Sequence, residues 1–264
     1  MMKKINLTIL LTIVLVLGMT VVASAHFQMI LPSDDMLTRG DSKEIDLDLL
    51  FTHPMSAAEV MDMEQPNKFG VIYKGKKKDL LGRLEEQKIM KGKSYNTTYQ
   101  IRGFGDYIFY LEPGPYWEPL ENKYITHCTK VVVNSMAVST NWDEEIGMKA
   151  EIVPLVRPYG LWTGNTFRGI IKKNGNPVPN AEIEVEYFNQ AKFPELKGEV
   201  DEAVELPNDN FVTQVIKADE NGVFSYTMPK AGWWGFAALM EGEKINDKDH
   251  ELGALMWVKT YDMK

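Results

Sequence analysis

The sequence predicts an all-β protein of two β-sandwich domains, and three observations carry that expectation. Apolar residues recur with period two, as in Ile45, Leu47, Leu49 and Phe51, with Asp46 and Asp48 between them. Clusters of glycine, proline and asparagine punctuate the chain at short intervals. Helical periodicity is thin: only Ser56 to Met63, with Ser56 as a cap and Glu59 three residues on, reads as a turn or two of helix.

Taken in order, the first domain spans 26–153. Its strands are Ile45 to Phe51, then Phe69 to Tyr73 running into a hairpin turn at Lys74-Gly75-Lys76. Tyr107 to Leu111 is an aromatic-rich strand that stops at Pro113-Gly114-Pro115, and Tyr124 to Asn134 carries three consecutive valines, Val131 to Val133. Two prolines and a glycine between Pro154 and Gly160 mark a boundary, and the second domain spans 154–264. There Phe167 to Lys172, Ala181 to Phe188, Phe211 to Lys217, Val223 to Met228, Trp233 to Met240 and Leu252 to Tyr261 read as strands. Their spacing suggests an immunoglobulin-like or transthyretin-like sandwich. Glu195 to Asn210 reads as a long acidic loop.

Residues 1–25 read as a signal peptide. Lys3 and Lys4 supply the positive end, Ile9 to Leu17 the apolar run, and Ala23-Ser24-Ala25 the small-residue cleavage site. Cleavage after Ala25 makes His26 the first residue of a periplasmic or otherwise exported protein. The alternative is an uncleaved anchor, since Ile5 to Ala25 is uncharged and just long enough to span a bilayer. The formal net charge is −8, and the leader holds two lysines and no acid, so the remainder carries −10. That sign disfavours nucleic acid or an anionic membrane as partner. A single cysteine, Cys128, leaves no internal disulfide, so stability must come from apolar burial, for which a 44% hydrophobic composition suffices.

The four histidines are the chemically informative residues. A free α-amine and the Nδ1 of His26 close a six-membered chelate ring on a metal ion, and neither proton is costly to displace near neutral pH. His53 ends a strand before Pro54, where loops gather. His127 shares a strand face with Ile125 and Thr129, while Cys128 points to the opposite face. His26, His53 and His127 are therefore the candidate metal ligands, against the alternative that the last two are ordinary hydrogen-bonded strand histidines. His250 reads as a solvated loop residue. Met55, Met61 and Met63 offer soft sulfur suited to Cu(I), but read more simply as packing for the short helix. Tyr116 and Trp117 read as an aromatic clamp on a proline-rich loop. No His-Glu-x-x-His, Gly-x-Ser-x-Gly, phosphate-binding glycine loop or Cys-x-x-Cys occurs, so no enzyme activity is expected.

Several motifs resemble the DUF4198 family of exported proteins. They are Ala25-His26-Phe27, Phe51-Thr52-His53-Pro54, Tyr124 to Val131, Pro154 to Gly160, Asn176 to Glu182 and Asp219-Glu220-Asn221-Gly222 to Trp234. The resemblance implies a divalent transition-metal-binding accessory protein that accompanies nickel or cobalt uptake and hands its ion to a membrane transporter. It further implies that His26, His53 and His127 match the family's histidines. The second domain resembles the carboxypeptidase-regulatory-like sandwich. Copper or zinc remains open for the same nitrogen donors. Two other readings stand beside this one: a metal-free structural or carbohydrate-binding sandwich, and a copper protein or histidine-brace enzyme.

Overall fold

A computed structural model describes residues 26–196 and 202–263. The signal-peptide reading over residues 1–25 and part of the acidic loop lie outside the described residues. The first ten strands are β1 (Phe27–Pro32), β2 (Met36–Leu37), β3 (Glu44–Thr52), β4 (Val60–Met61), β5 (Lys68–Tyr73), β6 (Lys76–Asp79), β7 (Glu85–Ile89), β8 (Gly92–Gln100), β9 (Gly105–Glu112) and β10 (Tyr116–Glu118). The rest are β11 (Lys123–Ser135), β12 (Ala150–Pro154), β13 (Leu161–Trp162), β14 (Thr166–Lys173), β15 (Asn176–Pro177), β16 (Glu182–Tyr187), β17 (Gln214–Lys217), β18 (Val223–Thr227), β19 (Gly232–Glu241) and β20 (Asp249–Tyr261). The all-β sandwich expectation holds; most long strands fall where the sequence placed them, while β1 and the nine-residue β8 were not foreseen.

The layers are three. An 11-stranded sheet runs β17-β16-β19-β20-β11-β9-β5-β6, with β10 and β2 on β11 and β13 on β20. A 5-stranded sheet, β1-β3-β8-β7 with β4 on β3, packs on one face through Phe27, Leu47, Leu49, Phe109 and Trp257. A 4-stranded sheet, β12-β14-β15 with β18 on β14, packs on the other through Ile152, Phe167, Val132, Phe236 and Met256. Strands β11 and β20 are buried on both faces, which is why Val131 to Val133 and Ala254 to Val258 read as unbroken apolar runs.

Those two strands also join the halves of the chain. They pair in parallel from Lys123↔Asp249 to Val131↔Trp257, so one sheet crosses the 153/154 division drawn from sequence, which itself falls inside β12. Nothing in local composition foretells a pairing between residues 126 positions apart.

The segment from Ser56 to Met63 is not helical. One turn closes through Ala57 N donating to His53 O at 2.9 Å. Thr52 Oγ1 then donates to Glu59 O at 2.6 Å and draws the chain back to pair with β3 as β4. His250 is likewise not a loop residue: it lies in β20, where its ring sits against Gly242.

Candidate metal centre

Strand register brings His26 and His53 together. Phe27 and Thr52 form the last pair of the antiparallel β1–β3 ladder, so His26 and His53 stand opposite each other one step beyond it. Pro54 has no N–H and ends the ladder there. The two imidazole centroids are 4.5 Å apart. Phe51, two residues before His53 on the same strand face, stacks under His26 at 5.5 Å.

His127 reaches the same place from the central sheet. Its ring meets the other side of Phe51 edge-on, with centroids 5.9 Å apart. Across the β11–β20 register it faces Gly253, and the fit requires glycine: a Cβ there would stand 2.4 Å from His127 Cδ2. Glu251, two residues before Gly253 on the same strand face, accepts from His127 Nε2 at 2.9 Å and from Lys123 Nζ at 2.6 Å. With Cδ2 against Gly253 and Nε2 on the carboxylate, Nδ1 takes the opposite ring edge. There it is buried and has no hydrogen-bond partner among the described residues.

His26 repeats the arrangement. Its Nε2 lies 3.1 Å from Glu118 Oε2, while Glu118 Oε1 accepts from Leu120 N at 2.9 Å. Burial first, then the neighbouring His53 and His127 charges, pushes His26 down to about 3 from 6.5, so at neutral pH the neutral ring turns Nε2 toward the Glu118 carboxylate. His127 thus engages Nε2 with a carboxylate and leaves Nδ1 without a partner among the described residues, and His26 places its Nε2 beside a second carboxylate. Burial alone would raise Glu251, but the hydrogen bond and charge of His127, followed by Lys123, outweigh it and hold the carboxyl at about 2.

Tyr116 completes the wall, 5.2 Å from Phe51 and 6.3 Å from His26 by ring centroids. A cleft of about 30 Å³ opens between Phe51, Met63, Pro115, Tyr116 and His127, space for about one water or one ion. The three histidines are gathered but their donor atoms do not yet converge. Among the described residues no group of three or more His, Cys, Asp or Glu side chains is set to hold a metal ion.

His250 stands apart, its ring nitrogens engaged by Glu243 O at 3.0 Å and Thr126 Oγ1 at 2.9 Å. Cys128 packs in the core on the far face of the sheet from His127. Met61 and Met63 are core residues. Glu118, Glu251 and Lys123 escape the sequence reading. Period-two spacing in Glu251-x-Gly253 and Tyr116-x-Glu118 held the signal, but it is legible only once both segments are recognised as strands. Trp117 of β10, read with Tyr116 as a clamp, packs against Tyr124 of β11 with ring centroids 4.9 Å apart and the planes tilted.

Fold and site together define a layered β-sandwich protein with a buried histidine cluster at one end of its sheets. Residues 23–242 match the model of a domain of unknown function, DUF4198, and the chain belongs to that family. No curated protein matches it. Among solved structures it is similar to trypsin-activated α2-macroglobulin from Escherichia coli, at 11% identity and TM-score 0.24, over 90% of this chain and 16% of that one. It is also similar to a bacterial ice-binding adhesin, at 6% identity and TM-score 0.25, over 91% of this chain and 65% of that one. The titin immunoglobulin tandem A164-A165 gives 11% identity and TM-score 0.19, over 91% of this chain and 98% of that one. The chain therefore spans only a part of the first two.

Proposed function

We propose that the exported protein binds one divalent transition-metal ion through His26, His53 and His127 and delivers it, as nickel or cobalt, to a membrane uptake transporter. One observation carries the reading: His127 Nε2 is held by Glu251 and His26 Nε2 lies 3.1 Å from Glu118, while the His26 ring packs on His53 and the buried His127 Nδ1 has no partner among the described residues. Metal-binding imidazoles characteristically give their second nitrogen to a carboxylate in this way. With the leader removed after Ala25, the His26 amine and Nδ1 form a chelate, and His53 and His127 supply one nitrogen each. Four nitrogens suit Ni(II) or Cu(II), and the Irving–Williams order makes copper the strongest competitor. Delivery to a transporter rests on the family resemblance.

The test is calorimetric titration of Ni(II), Co(II), Cu(II) and Zn(II) into untagged protein exported through its own leader, with the terminus fixed by intact mass. The comparison is the same protein with one extra residue before His26. Stoichiometric binding that the extra residue weakens supports the reading. Absence of binding by correctly processed protein overturns it and leaves a sandwich scaffold whose partners are glycans or proteins.

A further inference from the structure

The end of the sandwich opposite the histidines carries a different chemistry. Strands β3 and β9 begin there, and β5, β8 and β11 end there, so four connections gather at one surface. Tyr73 OH donates to Phe104 O at 3.1 Å, which ties the β5–β6 hairpin tip to the loop between β8 and β9. Ile101 N donates to Lys43 O at 2.7 Å and draws in the turn before β3. Asn134 Nδ2 donates to Val138 O at 2.9 Å and holds the loop after β11 beside them. The hairpin tip itself is fixed, with Lys74 and Gly75 at φ of 51° and 69°, the left-handed pair that a two-residue turn requires.

The side chains presented are Lys43, Lys74, Lys76 and Arg102, all exposed, around Phe104 at 61% and Val138 at 41% exposure. Asp41 and Glu44 are acids in the same region, and the loop after β11 adds Asp143 and Glu144; the Asp41 carboxylate is engaged by the Thr38 amide and hydroxyl at 2.6 and 2.7 Å, and Glu144 by the Asn141 side chain. An exposed phenylalanine at the same end as four exposed cations is unexpected on a chain of net charge −8. Lysines on the edge strand β6 alone would be explained as protection against edge-to-edge pairing. That explanation covers neither Arg102 and Lys43, which lie off the edge, nor the apolar tip.

We infer that this end docks on an anionic phospholipid bilayer, with Lys43, Lys74, Lys76 and Arg102 at the headgroups and Phe104 inserted at the interface. Charge complementarity selects an anionic surface, and the apolar tip selects a bilayer over a soluble polyanion, which would use the cations alone. A bilayer senses only charges within about a Debye length, so the exposed cations of this end, and not the net charge of the chain, set the attraction. The nine residues of β3 at ~3.3 Å each set the histidines on the order of 30 Å from such a surface. The inference does not depend on metal binding.

The experiment is sedimentation of the processed full chain with vesicles of phosphatidylglycerol and phosphatidylcholine, against vesicles of phosphatidylcholine alone, with folding checked by circular dichroism. Binding is expected to the anionic vesicles only and to fall with salt. The triple variant Lys74→Glu, Lys76→Glu, Arg102→Glu is expected to lose on the order of a hundredfold in partitioning, at roughly a decade or less per cation. Phe104→Ser is expected to lose several-fold, and His53→Ala nothing. No partitioning of the unmodified chain, or an unchanged triple variant, overturns the inference. Full binding by Phe104→Ser also overturns it, since a purely ionic contact is no bilayer insertion.

Discussion

Glu251 Oε1 stands 2.9 Å from His127 Nε2, and its second oxygen stands 2.6 Å from Lys123 Nζ. One carboxylate therefore fixes both the tautomer and the tilt of a buried imidazole, and Lys123 keeps that carboxylate ionised and in place. Replacing it by an amide removes the instruction, because Gln presents either a donor or an acceptor to Nε2. Glu251→Gln is expected to weaken metal binding by about 10–100-fold, the usual effect of losing such a partner, and to lower the urea midpoint at neutral pH, since the ionised carboxylate held at about 2 stabilises the fold there. Isothermal calorimetry and denaturation on the same preparation separate the two.

Gly253 is the steric counterpart of that bond. A Cβ at this position would meet His127 Cδ2 at 2.4 Å, so Gly253→Ala must push the ring off Glu251 or spread β11 from β20. Overpacking of this kind costs about 1–3 kcal/mol. The expected outcome is a lower unfolding midpoint together with weakened metal binding. Lost stability with intact binding would mean the ring relaxes without leaving its partner.

Much of this arrangement was legible in the residues, for reasons that also mark where legibility stopped. Alternation located β3, β9, β11, β16, β19 and β20 because one or both faces of each are buried. The Lys74-Gly75 turn was legible because left-handed conformation demands particular residues. The Ser56 cap misled, since Thr52 and Glu59 offered the backbone a strand partner that a cap rule does not consider. The parallel β11–β20 pairing, and with it the place of Glu251 beside His127, depends on long-range register that no local pattern encodes. His26 and His53 were singled out as rare donors, but their 4.5 Å separation follows only from the β1–β3 register.

Two glutamates, Glu186 buried and Glu184 half-buried, give the stability a pH dependence of definite sign. Burial, then the charges of Glu251 and Glu182, raises Glu184 to about 7. Burial raises Glu186 to about 8 against the opposing bonds from Thr213 Oγ1 and Met55 N. A carboxyl that binds its proton more tightly when folded contributes full stability below its unfolded value of 4.5 and loses it as pH rises through the folded value. Urea midpoints are therefore expected to fall between pH 5 and pH 8.5, and Glu186→Gln is expected to flatten that fall. An equally steep fall in the variant would assign the dependence to other groups. Glu251, held at about 2, acts in the separate window below 4.5, where stability is lost as pH falls.

The most direct measurement of the central claim is anomalous scattering at the nickel edge from crystals of the processed protein loaded with one equivalent of Ni(II). The account requires a single peak bounded by His26, His53 and His127, within bonding reach of the Nδ1 atoms of His26 and His127, with Glu118 and Glu251 still on the opposite nitrogens. A peak at His250 or elsewhere, or no peak from protein shown to carry the free His26 terminus, would contradict it.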